Sequence, residues 1–172
     1  MSKTILLTSF QTWLPHQQSN ASDDLLGEMQ KQDFSTASLS FLRQLPVDVP
    51  QASHRVIADI KALQPERIIC CGMAESYHKL GIEANATCQE KLLRTSVDLE
   101  KLVAEFSFTE ISHNAGKFVC EGLYYEILNF LQESHSTSQC IFVHIPVITD
   151  ENFPKVVEDF ELMIEKIASL AI

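Results

Sequence analysis

A cysteine and a histidine occupy positions at which α/β proteins place reactive groups. Cys120 lies in the stretch ISHNAGKFVCEGLYYEILNFLQ, in the first turn of a predicted helix. His144 follows in CIFVHIPVI, near the end of a predicted buried strand. The helix dipole and free backbone N–H groups favour a thiolate at the first position, and open α/β sheets carry reactive groups at the second. Together they would form a nucleophile and its acid/base partner.

Each of these residues also has a structural interpretation. An isolated cysteine is often a small core hydrophobe, and a strand-terminal histidine can simply bond a carbonyl. Ala115 and Gly116 favour a catalytic role for Cys120, because small residues before a helix permit a tight turn and nearby N–H groups can form an oxyanion hole. Glu83 is a candidate for orienting the imidazole, although its spacing alone favours an exposed loop charge.

The remaining cysteines and histidines indicate no metal or cofactor site. Cys70 and Cys71 are adjacent in a predicted strand, so their side chains should face opposite sides. The chain has no CxxC or HxxxH pattern and no glycine-rich phosphate loop, so we expect neither zinc nor a nucleotide. Cys88 and Cys140 are expected in or near the core. The other histidines are expected at the surface: His16, His54, His78, His113 and His135.

Composition narrows the class of protein. The 172 residues suit one domain spanning 1–172, and 45% hydrophobic residues suffice for a core. The formal net charge of −10 argues against nucleic acids and anionic membranes as partners. No apolar run approaches the roughly 20 residues that span a bilayer. Five cysteines without disulfide-like spacing indicate a reducing cytosol.

Strand and helix patterns alternate along the whole chain. This alternation predicts an α/β fold, with a sheet covered by helices on both faces. Segment 81–87 remains ambiguous, and 46–50 is a predicted linker. The predicted strands are 3–9, 37–45, 67–72, 108–112 and 140–145, and the predicted helices are 20–31, 51–63, 96–106, 119–132 and 154–170.

Several blocks, in the right order, resemble pyroglutamyl peptidase I, the pyrrolidone-carboxylate peptidase family of cytosolic cysteine peptidases. ILLTSFQTW looks like the family's ILVTGFEPF, and FLRQLPVDVPQA is similar to its RxLPV segment. GMAESYHKLGIEANA resembles G-L-A…I-x-x-E-R-x-A-x-N. ISHNAGKFVCEGLYY resembles I-S-x-x-A-G-x-Y-x-C-N, and CIFVHIPVI resembles F-I-H-V-P.

The resemblance implies a fold and a set of catalytic residues. The fold would be a three-layer α/β/α sandwich of the phosphorylase/hydrolase-like type, with a mixed, mostly parallel sheet. Cys120 would be the nucleophile, His144 the general acid/base and Glu83 the carboxylate that orients the histidine. No metal or cofactor is implied.

The resemblance also implies a substrate site. Aromatic residues of the family's first loop hold the pyroglutamyl ring, and these would be Phe10 and Trp13. Phe118 and Val119, which directly precede the nucleophile, complete the predicted substrate-binding set. The expected partner is a small peptide with an N-terminal pyroglutamate, and a second copy of the chain is a candidate partner.

The chain departs from the family pattern at several positions. Ser9 replaces a glycine, and Leu14-Pro15 replaces a double glycine. Glu121 replaces the asparagine after the nucleophile, which would raise the pKa of the thiol. The family's D-A-R-I-P-D-N stretch and following loop are replaced by the short link CQEKLLRT, in which Arg94 is a candidate for the family arginine. This change affects the substrate pocket and the subunit interface.

The leading hypothesis is therefore a cysteine peptidase that removes N-terminal pyroglutamyl residues through a Cys-His-Glu triad. A second hypothesis is a thiol amidase or hydrolase with another substrate. A third is a non-catalytic binding protein that keeps the fold.

Overall fold

A computed structural model describes residues 2–171 and contains eight strands and five helices in that range. The strands are β1 (Lys3–Phe10), β2 (Ala37–Leu45), β3 (Arg67–Met73), β4 (Leu80–Glu83), β5 (Asn85–Cys88), β6 (Lys91–Arg94), β7 (Thr109–Ser112) and β8 (Gln139–Ile145). The helices are α1 (Ala21–Met29), α2 (Val49–Leu63), α3 (Leu99–Val103), α4 (Val119–Glu133) and α5 (Phe153–Ser169).

Six of the strands form one mixed sheet in the order β2-β1-β3-β8-β4-β7. The first four run parallel to one another, whereas β4 pairs antiparallel with β8 and parallel with β7. Helices α1, α3 and α5 pack on one face of the sheet, and α2 and α4 pack on the other. The predicted three-layer α/β/α sandwich is confirmed.

The central strands are buried on both faces, which explains their continuous apolar sequences. In β3, Cys71 belongs to the core cluster beneath α1 and α5, and Cys70 belongs to the cluster beneath α2 and α4. The prediction that their side chains face opposite sides is confirmed. The loops at the carboxyl ends of β3 and β8 therefore emerge side by side, next to the beginning of α4.

The segment after Glu83 is more ordered than the sequence suggested. Residues 85–94 form a hairpin of β5 and β6 in which Asn85 pairs with Arg94, and Gln89 at its tip has a φ of 55°. The hairpin packs against α4. Four-residue strands give too short a pattern to distinguish from a loop, so the sequence left this region open.

Two helices begin elsewhere than predicted because aspartates cap them. Asp48 accepts a hydrogen bond from the Gln51 N–H, so α2 begins at Val49 and includes part of the predicted linker. Asp98, not Ser96, caps α3, which is shorter at both ends than the predicted helix 96–106.

Candidate active site

A cleft of about 620 Å³ opens at the carboxyl ends of β3 and β8, beside the N-terminus of α4. Cys120 and His144 both line it, so the structure brings the two predicted reactive residues to one cavity. Phe118, Val119 and Trp13 line the same cleft.

Cys120 is the second residue of α4, and the backbone before it supplies free donors. Gly116 has a φ of 92°, a left-handed conformation that favours glycine in the turn entering the helix. Phe118 is the N-cap and makes no side-chain capping hydrogen bond. The N–H groups of the first turn, which have no partner within a helix, are therefore left without a side-chain cap.

The sulfur of Cys120 lies directly above the backbone of β3. A Cβ added at Gly72 would come within 2.5 Å of Sγ and 3.1 Å of the Phe142 ring. Real Cβ atoms do not approach other atoms so closely, so glycine at this position is what lets the first turn of α4 approach the sheet.

The environment of Cys120 raises the pKa of its thiol to about 12. Burial is the main cause, followed by the negative charge of Glu83 and the nearby Cys70. The helix N-terminus favours a thiolate at Cys120, whereas burial and the Glu83 carboxylate favour the protonated thiol. The upward direction predicted from Glu121 is correct, but Glu83 is the carboxylate responsible.

His144 and Glu83 form a buried hydrogen-bonded pair. The imidazole Nδ1 lies 2.7 Å from Glu83 Oε1, and the two residues are only 5% and 0% exposed. The antiparallel pairing of β4 with β8 places them on adjacent strands. Within residues 2–171 no hydrogen bond joins the Cys120 sulfur to the imidazole, whose Nε2 is left available to the cleft.

Glu83 is therefore not the exposed loop charge that its spacing favoured. It ends β4, and all four residues of that strand are buried. Spacing failed here because the burial of a four-residue strand depends on β7 and β8 on either side of it, which the local sequence does not reveal.

Sequence reasoning missed Tyr77, whose hydroxyl donates a 2.6 Å hydrogen bond to Glu83 Oε1. Tyr77 lies in the loop between β3 and β4, where its N–H bonds the carbonyl of Ala74. No local signal identifies it, because its contact with the carboxylate depends on how this loop folds back over β4.

The predicted substrate-binding residues divide into two groups. Trp13 and Phe118 are 54% and 73% exposed at the cleft, and their ring centroids are 6.4 Å apart. Phe10, in contrast, is 2% exposed and belongs to the core cluster beneath α2 and α4. It shares a strand face with Leu6, so its side chain points into the core, and it does not line the cleft.

Solved structures similar to this chain include peptidases of three organisms. The chain is similar to pyroglutamyl peptidase I from Bacillus amyloliquefaciens, with 20% identity, a TM-score of 0.87 and coverage of 99% of this chain and 97% of that chain. It is also similar to pyrrolidone carboxyl peptidase from Thermococcus litoralis, with 17% identity, a TM-score of 0.82 and coverage of 95% and 92%. A third similar structure is pyrrolidone carboxyl peptidase from the thermophilic keratin degrading bacterium Fervidobacterium islandicum AW-1, with 16% identity, a TM-score of 0.84 and coverage of 96% and 98%.

The fold is that of the pyroglutamyl peptidases. The chain matches no protein-family model and no curated protein in sequence. At 16–20% identity the likeness to pyroglutamyl peptidases establishes the architecture, so the chemistry must be argued from the residues of the cleft.

Other residues singled out from the sequence lie away from the cleft of this pyroglutamyl peptidase fold. Arg94, the candidate for the family arginine, is exposed on β6 and does not line the cleft. Cys140 is buried as expected, whereas Cys88 is exposed in the hairpin, contrary to expectation. The other five histidines are exposed, as predicted.

Two broader properties concern the part of the chain that the structure describes. Across residues 2–171, no group of three or more His, Cys, Asp or Glu side chains is arranged to hold a metal ion. No helix in that range is long and apolar enough to cross a membrane.

Proposed function

We propose that this protein is a divergent pyroglutamyl peptidase, a cysteine peptidase that removes N-terminal pyroglutamyl residues from small peptides. The observation that carries the proposal is the buried Glu83–His144 pair, which opens onto the same cleft as Cys120. A nucleophile, a base and an orienting carboxylate together form the minimum set for amide hydrolysis through a covalent intermediate.

The first half of the reaction forms an acyl-enzyme. Cys120 Sγ attacks the carbonyl carbon that follows the lactam ring, and the thiol proton passes to His144 Nε2 as the S–C bond forms. Backbone N–H groups at the first turn of α4 hold the oxyanion. The C–N bond then breaks, and the proton moves from Nε2 to the leaving amine.

In the second half of the reaction, water hydrolyses the acyl-enzyme. His144 takes a proton from a water molecule while the oxygen of that water bonds to the thioester carbon. The S–C bond breaks, the proton returns to the sulfur, and free pyroglutamate leaves. Throughout, Glu83 holds the Nδ1–H and stabilises the imidazolium that forms in each step.

Aromatic side chains at the cleft suit the acyl group. The pyroglutamyl ring is small, flat and uncharged, and Trp13 and Phe118 offer two tilted rings for its faces. Phe10 is not part of this proposal. We place the activity in the cytosol, because all five cysteines are free and a reducing compartment keeps them so.

A fluorogenic pyroglutamyl amide tests the proposal. We expect the wild-type protein to release the fluorophore and Cys120→Ala to lose at least about a thousandfold in kcat/KM. Cys88→Ala is the matched control, because this exposed thiol lies outside the cleft and its removal should leave the rate unchanged. Lack of release by the wild type, or full activity of Cys120→Ala, would overturn the proposal.

A thiol hydrolase acting on a different acyl amide is the second candidate. The position of Phe10 in the core favours it, since one of the two aromatic residues expected to hold the ring is absent from the cleft. A panel of acetyl, prolyl and glutaminyl amides separates the two functions. Cleavage of one of these that needs Cys120, without cleavage of the pyroglutamyl amide, would favour the second candidate.

A further inference from the structure

Tyr77 makes the second hydrogen bond to the carboxylate that holds His144. We propose that Tyr77 is a positioning residue, an inference that rests on the proposed function. It orients the Glu83 carboxylate and sets the strength of the hydrogen bond between Glu83 and the His144 imidazole. Tyr77 lines the cleft but acts through Glu83 on the reacting groups.

The two oxygens of the Glu83 carboxylate differ in the number of their hydrogen-bond partners. Its Oε1 receives both hydrogen bonds, from His144 Nδ1 at 2.7 Å and from the Tyr77 hydroxyl at 2.6 Å. Its Oε2 is buried and has no hydrogen-bond partner in residues 2–171. A fully buried carboxylate with two donors depends heavily on each of them, because losing one leaves most of its charge unsatisfied.

The direction of the Tyr77 proton follows from its neighbours. A phenol has one proton, and the shortest contact leads to the carboxylate, so Tyr77 donates to Glu83. Ser112 Oγ lies 3.0 Å from the Tyr77 oxygen and 3.3 Å from the Asn114 carbonyl oxygen, and it accepts a hydrogen bond from the Asn114 N–H. This chain of hydrogen bonds connects the carboxylate to the loop that leads into α4 and Cys120.

Tyr77 remains a donor at any pH at which the reaction would run. Burial and the Glu83 carboxylate raise the pKa of its hydroxyl to about 12. The hydroxyl therefore keeps its proton, and the carboxylate keeps its second partner.

Packing fixes the ring of Tyr77 beside the imidazole. Its ring centroid lies 5.3 Å from that of His144, at an interplanar angle of 61°. A Cβ added at Gly81 would overlap the Tyr77 ring, and Gly81 pairs directly with His144 across the sheet. The glycine in β4 thus provides the space that allows the tyrosine to reach the carboxylate.

The shared oxygen has a consequence for the hydrogen bond to the imidazole. Tyr77 draws part of the Oε1 charge away from the Nδ1–H, so without the Tyr77 hydroxyl the hydrogen bond between Glu83 and His144 should become stronger.

Tyr77→Phe tests the inference in the full-length protein. We expect kcat on a pyroglutamyl amide to fall about ten- to a hundredfold with KM changed less than about twofold. Tyr124→Phe is the matched control, because its hydroxyl bonds the backbone carbonyl of Glu83 and not the carboxylate, so its kcat should stay close to that of the wild type.

A second measurement needs no substrate and separates this inference from the proposed function. The downfield proton NMR signal of the His144 Nδ1–H, assigned by its loss in His144→Asn, should move in Tyr77→Phe and stay in Tyr124→Phe. Ser112→Ala, which leaves both rings in place, should move the signal less but in the same direction. A wild type inactive on pyroglutamyl amides would refute the proposed function alone. An unmoved signal in Tyr77→Phe, or an equal shift in Tyr124→Phe, would overturn the role of Tyr77.

Discussion

Burial and the negative charge of Glu83 raise the pKa of the Cys120 thiol to about 12, which favours the protonated thiol over the thiolate. Catalysis of this kind depends on a base that accepts the proton while the sulfur attacks. A protonated thiol also resists adventitious oxidation, since the thiolate is the reactive form.

The rate of alkylation by iodoacetamide reports the protonation of the Cys120 thiol. Because only thiolate reacts, we expect the rate at Cys120 to rise steadily from pH 7 to 10 without the plateau of an ordinary thiol, whose pKa is near 9.0. Mass spectrometry of the labelled peptide gives the rate, and the exposed Cys88 is the internal comparison. A plateau below pH 7 would contradict the prediction and indicate an ion pair.

Replacing Glu83 by glutamine should raise the alkylation rate of Cys120 and lower the turnover rate. Loss of the charge lowers the pKa of Cys120, so alkylation at pH 8 should become faster. Turnover should fall by about 10²–10⁴-fold, because the imidazole loses its orienting carboxylate. Parallel labelling and steady-state assays on one preparation test this, and a fall in both would contradict it.

At the scale of single elements, a buried arginine at the start of β3 holds the end of the last helix. The Arg67 guanidinium donates to the carbonyls of Ile167 and Leu170 at the C-terminus of α5, and to that of Glu66. No carboxylate is needed, because the carbonyls at a helix C-terminus carry partial negative charge. The contact joins the beginning of the central strand to the C-terminal helix.

Arg67→Met should lower the free energy of unfolding by about 2–4 kcal/mol, because it leaves buried carbonyls without donors. Urea denaturation followed by circular dichroism measures the loss. Arg55→Met on the exposed face of α2 is the matched control and should change stability by less than about 0.5 kcal/mol. Equal losses in both variants would refute this role of Arg67.

At the scale of the whole molecule, the site is assembled from two layers. Cys120 belongs to α4, whereas His144 and Glu83 belong to the sheet, so the position of α4 sets the distance between nucleophile and base. Helix α4 also packs against α2, where a Cβ added at Gly122 would lie 2.5 Å from Val49 Cγ2. Contact between α2 and α4 therefore acts on the active-site geometry indirectly, through the position of α4.

Gly122→Ala should lower both stability and activity, since the added methyl pushes α4 away from α2. Adding Val49→Ala removes the obstructing methyl groups and should restore both, helped by the better helix propensity of alanine. Thermal unfolding and kcat/KM of the two single variants and the double variant complete a mutant cycle. Additive losses in the double variant would show that the two side chains do not interact.

The long elements were predictable from the sequence, whereas of the four-residue strands only β7 was predicted among residues 2–171. β2, β3, β8 and the long helices follow clear patterns of apolar residues and caps. Strands β4, β5 and β6 have four residues each, too few to establish a period. Residue types at the start of α4 correctly placed Cys120, but the close approach of its sulfur to Gly72 depends on β3, a strand distant in sequence.

The sequence by itself determined the layered α/β architecture and the positions of Cys120 at a helix start and His144 near a strand end. These features are local, since they depend on periodicity, caps and turn residues within each segment. Only the tertiary structure decided that Glu83 is buried against His144, that Tyr77 shares its oxygen, and that Phe10 lies in the core. Those outcomes depend on strand order and on how the loops fold back, and contacts between residues distant in sequence determine both.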